Sequence, residues 1–249
     1  TIIGQFGAFV FAFVVILRGN EVLKLRLQDG FKPHWGSLKS IFTIGVPSMV
    51  EQLFMRAGVI TYAKTVASLG TVAFAIHQIC LNIQALSFMN GNAFAVSATS
   101  LVGQSLGKKR PDMAQAYSSH TRRVGMVISI LLGLIFFFFG KPITALYSSD
   151  PEIISQGAKI LMFVAFIQPF QSSQFILAGA LRGAGDTKST AIIMFITTLL
   201  VRPGLAMLMI HGFGWGLVGA WIAMISDQLL RSLLILLRYN SGKWKSIKV

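Results

Sequence analysis

The chain has 249 residues, of which 54% are hydrophobic and only 12% charged, with a net charge of +14. Soluble domains carry about 25% charged residues, so this composition excludes an ordinary soluble domain and implies a polytopic membrane protein in contact with a lipid bilayer. A basic excess also suits nucleic acid, but in membrane proteins Lys and Arg collect in cytoplasmic loops. Their placement decides the matter below, and no nucleic-acid partner is expected.

A membrane-spanning helix needs about 20 largely apolar residues. Seven such segments follow one another: 1–17, 41–63, 72–101, 124–146, 153–179, 189–211 and 214–237. The third is long for one span, and a bend is expected at "FMNGNAF" (88–94). Runs such as "ISILLGLIFFFF" do not alternate as barrel strands do. The fold expected is therefore all-α, a transmembrane bundle of about seven spans. The chain opens with Thr1 inside an apolar run, so a longer protein is expected.

Basic residues cluster between spans one and two (Arg18, Lys24, Arg26, Lys32, Lys39), three and four (Lys108, Lys109, Arg110, Arg122, Arg123), five and six (Arg182, Lys188), and after seven (Arg238, Lys243, Lys245, Lys248). The alternate connections carry far fewer. Positive charge marks cytoplasmic loops, so the C-terminus is expected in the cytoplasm of a multi-pass plasma-membrane protein. Four regions result: a first helix (1–18), a linker with a short amphipathic helix (19–40), a six-helix lobe (41–238) and a basic tail (239–249). The turn "LRGAGDTK" reads as a water-facing hinge whose glycines reverse the chain. It is no phosphate loop, because Asp186 and Thr187 separate Gly185 from Lys188. "GQSLGKK" (103–109) fails the same test.

Ionisable residues within spans are costly and are functional candidates by default. Arg202 and Asp227 fall at similar depth on consecutive helices, which fits a structural ion pair; Asp227 can alternatively reach Arg231 one turn on. Glu51, a turn after Pro47, has no equally obvious partner: it is either an ion pair with Arg56 or an ion-coupling carboxylate. In the third span Gln78 and Asn82 share a helical face, and Gln168 and Gln171 repeat the pattern in the fifth. Such amides either bond helices together or line a solute cavity. His77 reads as a core or interface residue. The four histidines are scattered, Cys80 stands alone, and no nucleophile or metal motif is present, so neither an enzyme nor a metal site is expected.

The blocks "GVPSMVEQLFMR", "LGTVAFAIHQI", "SATSLVGQSLGKKRPDMA" and "LAGALRGAGDT", in this order and spacing, resemble the C-terminal half of the MATE (multidrug and toxic compound extrusion) family. The resemblance extends over essentially all 249 residues. It implies secondary antiport of organic cations or amphiphiles against Na⁺ or H⁺, with no other cofactor. It also implies a cleft against an N-terminal lobe of the same polypeptide, or against a second copy, lined by spans two, three and five. That places Glu51, Met55, Gln78, Asn82, Gln168 and Gln171 in the substrate and ion cleft. Two positions depart from the NorM branch: Met55 stands where that branch has Glu, and Gln171 where it has Asp. A lipid-linked saccharide flippase of the same superfamily, needing a cationic cavity from Arg56 and Arg202, and a non-transport seven-helix protein are the alternatives.

Overall fold

The structure, a computed structural model, describes residues 2–18 and 35–247. The expected amphipathic helix in the 19–40 linker therefore falls largely outside the described residues. The chain divides into two compact units, Thr1–Ile41 and Phe42–Val249. The first contains the apolar helix α1 (Ile2–Arg18) and the start of α2 (Trp35–Ala67). The second holds the rest of α2 and then α3 (Thr71–Gly107), α4 (Pro111–Ala145), α5 (Pro151–Gly183), α6 (Thr187–Gly212) and α7 (Gly216–Asn240). A short 3₁₀ turn, Lys243–Ser246, follows. No strand occurs among the described residues, so the protein is an all-α membrane bundle. Helices α3 to α7 are long and apolar enough to cross a membrane. The 17-residue α1 sits at the short limit, and α2 spreads Lys39, Glu51, Arg56 and Lys64 along 33 residues.

The helices overrun the apolar segments that announced them. α4 starts at Pro111, not 124, so Arg122 and Arg123 lie within a helix and not in a loop. Hydropathy registers only the hydrocarbon-embedded part of a helix, whereas its internal hydrogen bonds carry it on into water. α3 runs as one continuous helix through 88–94. Gly91 serves packing there: a Cβ on it would lie 3.0 Å from the Phe175 ring. Distortions occur elsewhere and have identifiable causes. α4 departs from helical angles at Phe139, three residues before Pro142. α6 widens to π-helix at Phe195–Val201 and Leu208–Gly212, on either side of Pro203. α5 has a defined start: Asp150 accepts a hydrogen bond from the Glu152 N–H at 2.8 Å, with Pro151 in the first turn.

Small residues let α3 and α5 run side by side at backbone contact. A Cβ on Gly179 or Gly183 would collide with the Ala95 or Thr99 backbone. Thr99 Oγ1 donates to the Gly179 carbonyl across the seam, at 2.8 Å. Between α4 and α5 a Cβ on Gly133 would strike the Ala165 carbonyl, and one on Gly157 the Thr144 side chain. α2 meets the bundle by successive rungs: Glu51 on Arg182 and Thr190, Phe54 on Phe195, Gly58 on Thr198 and Tyr62 on the Ala220 carbonyl.

Between α6 and α7 the Asp227 carboxylate joins two arginines, Arg202 at 2.6 Å and Arg231 at 2.5 Å. Both alternatives for Asp227 are thus realised at once. Arg231 also donates to Thr197 Oγ1, and the Arg202 guanidinium lies 5.8 Å from the Tyr62 ring centre. All three charged groups are buried. A lone buried charge costs far more than a paired one.

Two outcomes follow from this packing. Gly183→Ala should lower the detergent melting midpoint by the equivalent of about 1–3 kcal/mol. Gly204→Ala, at a position where a Cβ meets nothing within 4 Å, should leave it unchanged or higher. Asp227→Asn strands two arginines and should cost about 3–5 kcal/mol, whereas Arg202→Met leaves a neutral pair and should cost less. Equal losses in a melting series would contradict this charge balance.

Candidate functional site

The turn between α5 and α6 organises the site. Leu181 to Asp186 close α5 with a left-handed Gly185 (φ 82°), the Asp186 N–H bonding the Leu181 carbonyl and the Gly185 N–H bonding that of Arg182. The turn's charges do not simply face water. Arg182 Nη1 donates to Glu51 Oε1 at 2.8 Å, and the Thr190 hydroxyl lies 3.0 Å from Glu51 Oε2. Asp186 is buried too, accepting from Arg238 Nε at 2.7 Å and from Ser189 Oγ at 2.6 Å. Thus α2, α5, α6 and α7 are tied at one end of the bundle by two ion pairs rooted in one turn. Lys188 alone of the turn's charged residues is exposed.

Glu51 therefore has a partner, and it is neither absent nor Arg56. Arg182 lies far away in sequence, and nothing in the local pattern of α2 announces it. Arg56 is exposed on α2. The Glu51 side chain is 1% exposed and that of Arg182 25%, so the arginine presents the accessible charge.

This pair lines a cavity of about 320 Å³ bounded by α2, α3, α5 and α6. Gln52, Asn92 and Gln174 bring amide groups to its wall, while Met55, Phe175 and Met194 supply soft apolar surface. Its fixed charges, Glu51 and Arg182, cancel. An amphiphile can place its apolar body against methionine and ring carbons and its polar end against amides. A cation gains the Glu51 carboxylate only by displacing Arg182.

The six residues read as cleft-lining separate into three places. Glu51 and Met55 border this cavity. Gln78 and Asn82 are exposed together on one face of α3. Gln168 and Gln171 are buried on α5, whereas Gln78 and Asn82 are exposed on α3. Like the buried Gln84 and Gln228, they hold amide atoms that find no hydrogen-bond partner among the described residues. His77 packs edge-on against Tyr62 and Trp221, 5.5 Å between ring centres in each case. Among the described residues no three His, Cys, Asp or Glu side chains gather to hold a metal ion.

Gln52 and Asn92 were not singled out from the sequence; Gln174 belongs to the amide pattern of the fifth span and Arg182 to the charged turn, and neither was assigned there to a site. The signal available for two of them was spacing: Gln174, Ala178 and Arg182 recur at four-residue intervals and share a face of α5. The basic turns converge as the charge pattern demands, since Arg238 meets Asp186 and Lys245 Nζ meets Gln115 Oε1 at 2.5 Å. The tail is more than a basic extension: Trp244 is buried, stacked on Tyr239 and donating to its carbonyl.

Comparison with known proteins agrees with this architecture. The family model described as MatE matches residues 47–208. A probable multidrug resistance protein NorM from Thermotoga maritima is 33% identical over 246 residues, covering 98% of this chain and 52% of the relative. The multidrug resistance protein MdtK of Yersinia pestis is 29% identical over 228 residues, covering 90% of this chain and 50% of the relative. A crystal structure of a MATE protein in a bent conformation superposes with a TM-score of 0.85 at 18% identity, over 94% of this chain and 52% of that one. An outward-facing multidrug resistance MATE transporter gives 0.83 at 20% identity, over 95% and 53%. The chain spans about half the length of the relatives it matches. With the family model matching well over half of its residues, this multi-pass membrane protein belongs to the MatE family of transporters.

Proposed function

We propose that this chain is the C-terminal lobe of a secondary antiporter that exports organic cations or amphiphiles in exchange for Na⁺ or H⁺. The observation that supports this most is the cavity beside α2, where a buried carboxylate is neutralised by an arginine at its edge. Glu51 serves two competing partners in the cycle. With Arg182 in place, α2 is tied to α5 and α6 and the cavity is electrically neutral. A proton or Na⁺ arriving at Glu51 weakens that tie, frees the Arg182 guanidinium and loosens α2. An organic cation entering next competes for the same carboxylate, so ion and solute exclude one another. Rocking of this lobe against its partner, an upstream lobe or a second copy, carries the cavity from one side of the membrane to the other. The basic turns face the cytoplasm of a bacterial plasma membrane. A saccharide-lipid flippase needs a net cationic cavity, and neither Arg56 nor Arg202 lines this one.

The test is ethidium efflux from cells stripped of their own exporters and expressing the native full-length protein. Efflux should stop when either the proton or the sodium gradient is collapsed selectively, and continue when the other is. Glu51→Gln, which retains hydrogen-bonding atoms toward Arg182 and Thr190, should slow efflux roughly tenfold or more and abolish its dependence on the driving ion. The variant's melting midpoint separates this from simple unfolding. Efflux at the wild-type rate with the same ion dependence would remove Glu51 from coupling.

A further inference from the structure

A second, smaller cavity, of about 170 Å³, opens where α3 hands over to α4, at the basic end of the bundle. Lys108 and Arg110 flank it, Gln104 and Tyr117 add polar groups, and Leu101 and Met113 form the apolar part of its lining. Drug-sized sites occupy about 300–1,000 Å³, so this one suits a single small polar group.

The turn that builds it is tightly specified. The Arg110 N–H bonds the Ser105 carbonyl and the Lys109 N–H that of Leu106, the same closure that the α5–α6 turn makes with Gly185. Here the left-handed position is held by Lys109 at φ 57°, a conformation that favours glycine. Three consecutive cationic residues are thus fixed on a short rigid turn. The opposing carboxylate is Asp112, which accepts from Arg110 Nε at 3.0 Å and from Nη2 at 2.8 Å. Arg110 Nη1 has no partner among the described residues, and Lys108 has no ion pair among them. One carboxylate against three cations leaves the turn with a net charge of +2.

Location narrows the ligand. Leu101 lies about 10 Å up α3 from Lys108 by helical rise, so the cavity runs from the last apolar turn of α3 to the basic turn. A guanidinium edge and an ammonium together recognise phosphate oxygens, and a cationic turn at a membrane surface attracts anionic lipid. We propose that this cavity binds the phosphate group of an anionic phospholipid headgroup, with Lys108 and Arg110 as its ligands. A free phosphate ion offers the same chemistry and is separated from the lipid by experiment. The proposal does not rest on antiport and survives if that reading fails.

Native mass spectrometry of the full-length protein, released from detergent with phosphatidylglycerol, phosphatidylcholine or inorganic phosphate added separately, tests it. Retained phosphatidylglycerol should exceed phosphatidylcholine, and the double variant Lys108→Gln, Arg110→Gln should reduce it at least about fivefold. The exchange Lys108→Arg, Arg110→Lys keeps both charges and should retain binding. Lys64→Gln with Lys141→Gln, removing equal charge away from this turn, should have no effect. Asp112→Asn, which releases the competing carboxylate, should raise retention, an arm that loss of fold cannot mimic. Equal retention of the two lipids, or a double variant that binds like wild type, overturns the proposal. Inorganic phosphate retained with the same dependence on Lys108 and Arg110, and no lipid preference, overturns the lipid as its source.

Discussion

The contact between Glu51 and Arg182 sets the terms for the rest of the bundle. A carboxylate in the low-dielectric interior costs several kcal/mol unless an opposite charge and further hydrogen bonds meet it. Here one oxygen takes the guanidinium and the other the Thr190 hydroxyl. Because those partners come from α5 and α6, satisfying Glu51 fixes how α2 is placed against both. The neighbouring rungs at Phe54, Gly58 and Tyr62 then follow at helical intervals along the same side of α2. The adjoining space between α2, α3, α5 and α6 remains as the cavity.

The second constraint is steric. Glycines at 179 and 183 bring α5 onto the α3 backbone, and glycines at 133 and 157 bring α4 onto α5. In a bilayer, burial of apolar surface supplies little drive for helix association, so close van der Waals contact must supply it. This tight three-helix core gives Arg182, on the last turn of α5, a fixed position from which to hold Glu51. Polar satisfaction at α2 thus depends on backbone proximity a helix away.

The bundle handles its remaining interior charge in the same manner. Asp227 shares one carboxylate between Arg202 and Arg231, while Asp186 holds Arg238 and Ser189 at the basic end. Each cluster joins helices that are distant or only neighbouring in sequence, so charge pairing records the three-dimensional order of the spans. The buried amides of Gln84, Gln168, Gln171 and Gln228 differ in kind, being polar groups held among helices without full hydrogen bonding by the described residues.

What the sequence determined by itself was whatever a single helix expresses. Membrane residence, all-helical structure and the order of the spans follow from local apolar runs, and the alternation of basic turns follows from Lys and Arg positions. The Arg202 and Asp227 contact was also legible, because consecutive antiparallel helices place equal depths opposite one another. Motif order was enough to indicate the family. Only the tertiary structure decided the partner of Glu51, since 131 residues separate it from Arg182 and no periodicity within α2 encodes a neighbour. It also decided that Gln78 and Gln168, alike as amides within apolar spans, take opposite environments. A helical repeat states which residues share a face, and only packing against the other helices states what that face meets.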